Sequence, residues 1–254
     1  VKILSKAQSP VSHQAIDESN AETEDSAWKS LYKVSASAAL IMVVVFFPIQ
    51  IIAFSMAPIP TTAVDWFTLL RNNRLLGLLD LDLLYVADQA LLIPIFLTLY
   101  VALRRANKAY MALATIFGIL GATVYFATNN AVSMLYLSDQ YAVATTDAQR
   151  SLFLAAGETT IAVSLGTAWY VFNVLASVAL LIVSVVMLRS TVFSKATAYV
   201  GILGSIFGLA FFVPTAGIFF LLISAFALQI WFVLIAQRLF QIGQTVSNQE
   251  AKRN

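Results

Sequence analysis

Residues 167–188 read TAWYVFNVLASVALLIVSVVML, 22 positions without one charged side chain. As an α-helix rising 1.5 Å per residue, the segment is about 33 Å long, enough to cross the roughly 30 Å hydrocarbon core of a bilayer. In that solvent nothing outside the chain satisfies a backbone N–H or C=O. The helix is therefore imposed by its surroundings even where Val, a weak helix former in water, is frequent. Runs of the same kind cover about 34–57, 81–103, 109–129, 196–213 and 217–237. The chain reads as an all-α, polytopic integral membrane protein with six transmembrane helices. Composition agrees: 60% of the 254 residues are hydrophobic and 11% charged, with a mean hydropathy of +0.83. Soluble domains average about 45–50% and about 25%.

Around these runs the chain divides into a polar cytoplasmic tail (1–27), the transmembrane domain (28–240) and a second polar cytoplasmic tail (241–254). The first tail is rich in Ser, Glu and Asp and has no apolar stretch of the kind a signal peptide needs. Two further segments are apolar but broken by charge. Residues 62–79, TAVDWFTLLRNNRLLGLL, open on a Thr62-x-x-Asp65 capping pattern, and residues 146–165, TDAQRSLFLAAGETTIAVSL, carry Arg150, Gly157 and Glu158. Both read as interfacial helices on the outer face, with re-entrant segments or extensions of the following spans as alternatives. Charge sets the orientation. With both termini cytoplasmic, 12 of the 15 Lys and Arg lie inside, and only Arg71, Arg74 and Arg150 lie outside. Leaving out the four in the tails still gives 8 against 3, which fits the positive-inside rule. The outer side is net negative, carrying Asp65, Asp80, Asp82, Asp88, Asp139, Asp147 and Glu158.

The stretch LRRANKAYMALATIFGILG (103–121) is echoed by LRSTVFSKATAYVGILGSIFG (188–208): a Leu-Arg helix end, a Lys in the turn, then Gly-Ile-Leu-Gly in the returning helix. Both hairpins run in the same direction, so a repeat would be parallel, and convergence on common hairpin composition is the other reading. Several features combine into a resemblance: LYVALRRANKAY after Pro94, the long segment 142–166, the Gly166-Thr167-Ala168 start of a helix ending in MLRS, the GILG helix and the last apolar helix. Together they resemble a bacterial family of uncharacterised multispan membrane proteins, a domain of unknown function, over about residues 80–240. The resemblance implies a multispan fold in the bacterial plasma (inner) membrane. It brings no activity and no functional residues.

Much chemistry is closed to this chain. There is no cysteine, which removes disulfides, thiolate nucleophiles and cysteine metal sites, and the one histidine, His13, lies in the polar tail. No Gly-rich phosphate loop, HExxH or GxSxG pattern is present, and no basic cluster points to nucleic acid. The reading therefore calls for no cofactor and no metal. An intramembrane enzyme would have to rely on carboxylates alone.

What remains is a set of polar residues in an expensive place. Asp88 lies roughly 10 Å below the outer boundary of its span, at 1.5 Å per residue from about residue 81. Gln50, Gln89, Asn129, Asn130 and Asn173 come near the same depth, with Asp80, Asp82 and Glu158 above them. A carboxylate inside a span costs about 2.5–3.5 kcal/mol on insertion scales, which makes this layer an ion- or ligand-binding candidate. Three readings stand side by side: Asp88 binds a proton or small cation, it pairs with Arg71, Arg74 or Arg150, or it sits ionised in a wet vestibule. Asp80 and Asp82 point about 160° apart on an ideal helix, so they do not form a carboxylate pair without distortion. Gly201, Gly204, Ser205 and Gly208 make a small-residue face for close helix packing, within the chain or against a partner. Pro48 and Pro94 should kink their spans.

The expected function is that of a non-enzymatic membrane protein, a structural or accessory subunit of a membrane assembly. The alternative is a small transporter, channel or ligand sensor using the outer polar layer around Asp88. The expected partners are the lipid bilayer, other membrane-protein chains, and a small-molecule or ion ligand.

Overall fold

The computed structural model describes residues 28–56 and 58–251, which are helical with no strand among them. The tail 1–27 with His13, and Lys252 and Arg253 at the other end, lie outside the described residues. In chain order the helices are α1 (Lys29–Met56), α2 (Ala63–Asn72), α3 (Arg74–Asp80), α4 (Leu83–Thr128) and α5 (Ala131–Val143). They continue as α6 (Asp147–Ser164), α7 (Thr167–Leu188), α8 (Lys195–Leu209) and α9 (Gly217–Ala251). Five helical stretches are long and apolar enough to cross a membrane: Lys29–Met56, Leu83–Val143, Asp147–Leu188, Lys195–Phe212 and Gly217–Thr245. The protein is accordingly described as a multi-pass membrane protein.

The second of those stretches has an internal fold. A straight helix of the 46 residues of α4 would be about 69 Å long, over twice the hydrocarbon thickness. At Asn107 the backbone leaves the helix (φ −161°, ψ 98°), and the Asn107 side chain accepts the Tyr110 N–H at 3.1 Å, capping the second arm. The two arms, 83–106 and 108–128, fold back on each other: Thr115 Oγ1 donates to the Phe96 carbonyl at 3.5 Å, and Gly118 lies directly on the Phe96 ring. The separate apolar runs at 81–103 and 109–129 are thus the two sides of a hairpin.

The two arms of α4 pack with α7, α7 with α8, α8 with α9, α9 with α1 and α1 with α4, which closes a ring around the main core. Ile95, Leu99, Met111, Val183, Trp231 and Ile235 lie inside it. Val44, Ile52, Ile116, Leu203, Phe219 and Ile230 face outward and exposed, an inversion that water would penalise and lipid does not. Both prolines are accommodated locally. A wide π-turn, Met42–Phe46, precedes Pro48 and gives its ring room against the carbonyl four residues back. Beside Pro94, Ser35 of α1 hydrogen-bonds the Pro94 carbonyl at 2.8 Å and the Thr98 hydroxyl at 2.7 Å.

The small-residue face is spent inside the chain. Gly201 sits against Ser184 Oγ of α7 and Trp231 of α9, Gly204 against Leu228 of α9, and Gly208 against Ser177 of α7. Ser205 Oγ donates to the Gly201 carbonyl at 2.7 Å, and Ser224 of α9 donates to the Gly204 carbonyl at 2.8 Å. The GILG echo has a spatial counterpart. The first glycine of each copy meets the preceding helix of its own hairpin (Gly118 on Phe96, Gly201 on Ser184), while the second meets the next helix in the ring (Gly121 on α7, Gly204 on α9).

Above the bundle lies a second, smaller core. Trp66, Phe67 and Leu70 of α2 pack with Leu81, and with Ala131 and Met134 of α5. Thr62 accepts the Asp65 N–H at 3.2 Å, the cap its sequence suggests, and two further helix starts are capped by side chains, Asn73 accepting the Leu76 N–H at 3.0 Å and Thr146 the Gln149 N–H at 3.2 Å. The segments 62–79 and 146–165 are therefore helical as expected, but they form a cap together with α5, a helix that the hydropathy reading did not assign. The polar segment after residue 240 is also different from a plain tail, since α9 continues through it to Ala251.

Candidate functional site

The site lies where the cap joins the bundle, in the turn Asp80-Leu81-Asp82 between α3 and α4. Asp82 heads α4 in the left-handed region (φ 59°, ψ 26°), a conformation Asp tolerates better than most residues with a Cβ. Three side chains from distant parts of the chain hold the turn by its carbonyls. Gln50 Nε2 of α1 donates to the Leu79 carbonyl at 3.2 Å, Asn129 Nδ2 to that of Leu81 at 3.2 Å, and Tyr125 Oη to that of Asp82 at 3.4 Å.

The carboxylates receive no such help. Asp80 is 6% exposed, and neither of its oxygens has a hydrogen-bond partner. Asp82 occupies a helix-start position where Asp ordinarily caps the first turn, yet its side chain makes no capping bond. Both residues precede the span that begins at Leu83. Burial pushes the Asp80 carboxyl above its usual range. Burial, and secondarily the Asp80 charge, push Asp82 up to about 6. An ideal helix would have aimed the two acids apart. Residues 80–82 are instead a turn with Asp82 in the left-handed region, so the ideal-helix separation does not hold, and the Asp80 charge reaches Asp82.

One turn further in, α4 contributes Tyr85, then Asp88 and Gln89. The Tyr85 ring stands 5.0 Å from Tyr125 and 6.1 Å from Phe172, both edge-on, and Tyr125 is 5.0 Å from Phe172. Gln89, 2% exposed, lies about one turn beyond Tyr85 on the same helix. An acidic turn, an aromatic layer and a second acid thus succeed one another along α4. The tyrosines did not stand out in sequence, although Asp82, Tyr85 and Gln89 fall at i, i+3 and i+7, one face of a helix.

The other expected layer residues divide. Gln50 and Asn129 join the site as clasps, and Asn129 Oδ1 also accepts the Ala131 N–H at 3.2 Å. Asn130 ties the α4–α5 junction to the Thr160 carbonyl of α6 at 3.5 Å. Asn173 Nδ2 bonds back to the Trp169 carbonyl of its own helix at 2.8 Å, so no contact brings it to the turn. Glu158 is away from the layer: its Oε1 accepts the Ala63 N–H at 2.8 Å and caps α2 from another helix, while Gly157 allows α6 to close on Ala63 and Phe67. Of the arginines offered as clamps for Asp88, Arg74 pairs with Asp139 at 2.7 Å in the open, and Arg150 bonds the Ala144 carbonyl at 3.4 Å.

Glu158→Ala should therefore loosen the cap by about 0.5–2 kcal/mol, the usual cost of a lost helix cap, with Glu158→Gln restoring most of it. Thermal unfolding combined with limited proteolysis between α2 and α6 measures this. Equal stability of the Ala variant and the parent would show that this cap contributes nothing.

Among the described residues no group of three or more His, Cys, Asp or Glu side chains is placed to hold a metal ion. No protein-family model matches the chain, and no curated protein or solved structure matches it.

Proposed function

We propose that this is a six-span protein of the bacterial plasma membrane, with both termini cytoplasmic, whose outer polar layer binds a proton or a small cation in a small transporter, channel or ligand sensor. In this reading α1, the two arms of α4, α7, α8 and α9 are the six crossings, and α2, α3, α5 and α6 form the outer cap. Segregation of charge supports the orientation, with Arg104, Arg105, Lys108, Arg189 and Lys195 in the hairpin turns and the acidic turn at the opposite end. The resemblance over about residues 80–240 supports the membrane and the source.

The observation that carries the function is Asp80, a buried carboxylate with neither oxygen hydrogen-bonded. Such a group costs stability and contributes none, and ionisable groups left so in membrane proteins mark ion and proton routes. The site holds no nucleophile–base pair, so the reading is binding and not bond-making. The test is a proteoliposome assay of pH- or cation-driven response for the parent, Asp80→Asn and Asp88→Asn. A loss of tenfold or more in either variant, with folding intact, is expected. Full response in both would end this reading.

A structural or accessory subunit is the second reading, favoured by the exposed Leu75, Val132, Tyr136 and Val143 on the cap, which lipid or a partner chain would cover. The glycine face does not add to it, being filled by α7 and α9. Gentle extraction followed by native mass measurement decides: stoichiometric companion chains favour the subunit, a lone chain the transporter or sensor.

A further inference from the structure

We propose that the turn at residues 80–82 is a proton site, in which Asp80 and Asp82 share one proton taken from water on the cap side and hold no metal cation. This rests on the polar-layer reading above and names its ligand.

The geometry favours a proton over a cation on three counts. First, the acceptors are the wrong set. A sodium- or calcium-like ion collects about six or more oxygens. Here the carbonyls of Leu79, Leu81 and Asp82 are already engaged by Gln50, Asn129 and Tyr125, and there is no third carboxylate in a metal-holding group among the described residues. Second, nothing cationic balances the pair. Of the elements packed on the turn, α1 brings Gln50, with Lys29 and Lys33 at its far end, and α4 brings Tyr85, Asp88 and Tyr125. On the neighbouring helices α2 carries Asp65 and an exposed Arg71, and α5 carries Asp139, which is tied to Arg74 at the surface. Third, Asp80 is nine-tenths buried with both oxygens open to a new bond, and Asp82 caps nothing. Two carboxylates so placed do not both ionise easily.

One proton resolves the conflict. The acid O–H on one carboxyl donates to an oxygen of the other, and the pair carries one negative charge loaded and two when the proton returns to water. The upward displacement of both acids agrees with this. In the loaded state a bond forms where the resting turn has none. In the empty state repulsion strains the turn held by α1 and the second arm of α4, so the load is felt by two helices of the ring.

The experiment uses the full-length protein in phosphatidylcholine–phosphatidylglycerol nanodiscs, following the protonated-carboxyl stretching band by infrared difference spectroscopy across pH, with and without sodium or calcium chloride. The parent should lose a band with a midpoint near pH 6. Asp82→Asn should abolish that transition, and Asp80→Asn should move it to lower pH, with neither salt displacing it. Asn at 82 suits the left-handed backbone, so this variant remains informative should Asp80→Asn not fold. A midpoint displaced by sodium or calcium would overturn the proton assignment while leaving a ligand-binding layer in place. A band untouched by both variants overturns it as well. If Asp88→Asn still abolishes the proteoliposome response in that case, the layer reading survives without the turn, and if it does not, both fall.

Discussion

Gly201→Leu is expected to destabilise the bundle by about 3 kcal/mol or more, enough to abolish accumulation of folded protein in the membrane. Gly201 lies on the buried face of α8, where even a Cβ would collide with Ser184 Oγ of α7 and stand 2.7 Å from Trp231 Nε1 of α9. Trp231 is 2% exposed and wedged into the main core, so it cannot move away without opening the α8–α9 seam. Ser184 Oγ has no hydrogen-bond partner. Removing it leaves no acceptor unpaired and gives space, so Ser184→Ala should be neutral or stabilising by up to about 1 kcal/mol. Combined with Gly201→Ala it should recover much of the loss that Gly201→Ala causes alone. Thermal unfolding in detergent of the four members of this cycle gives the coupling directly. Strict additivity would show that the two positions do not meet.

Stability in detergent is expected to fall as pH rises through about 6, because the Asp82 carboxyl is raised from 3.8 to about 6 in the folded chain. The sign follows from proton counting. Between those values the folded state holds a proton that the unfolded state has released, so the stabilisation is complete below the lower value and gone above the higher one. The size is about 1–3 kcal/mol, with a partly solvated turn at the lower end. Asp82→Asn removes the titrating group, keeps the left-handed backbone comfortable and should be flat over the same window, exceeding the parent at neutral pH. A parent whose stability rises through pH 6 would instead mean that the carboxylate is favoured by a partner. A more stable Asp82→Asn variant that has lost its response in proteoliposomes would show a cost retained for function.

The long apolar helices, the helix cap at Thr62 and the close-packing character of the Gly201–Gly208 face were all legible in the residues, because each depends on a few neighbours along one helix. Apolar length in a bilayer leaves the backbone no alternative to a helix, and a Thr or Asn at a helix start serves whichever N–H lies two or three residues on. Some details of layout were not local. That residues 131–143 form a helix of their own, α5, depends on Ala131 and Met134 packing with Trp66 and Phe67 of α2 in the cap core, and the capping role of Glu158 depends on Ala63, 95 residues away.

The acidic turn shows the same division most sharply. That Asp80 and Asp82 sit near one end of an apolar span follows from counting residues. That Asp80 is buried without a partner, and that Asp82 turns left-handed beside it, follows from clasps by Gln50, Asn129 and Tyr125, which lie 29, 48 and 43 residues from the carbonyls they hold. Hydropathy and helical period measure how each segment meets its solvent, so they place the helices. Desolvation of a carboxylate depends on which other helices close over it, a sum over contacts distant in the chain, and only the assembled ring and cap contain it.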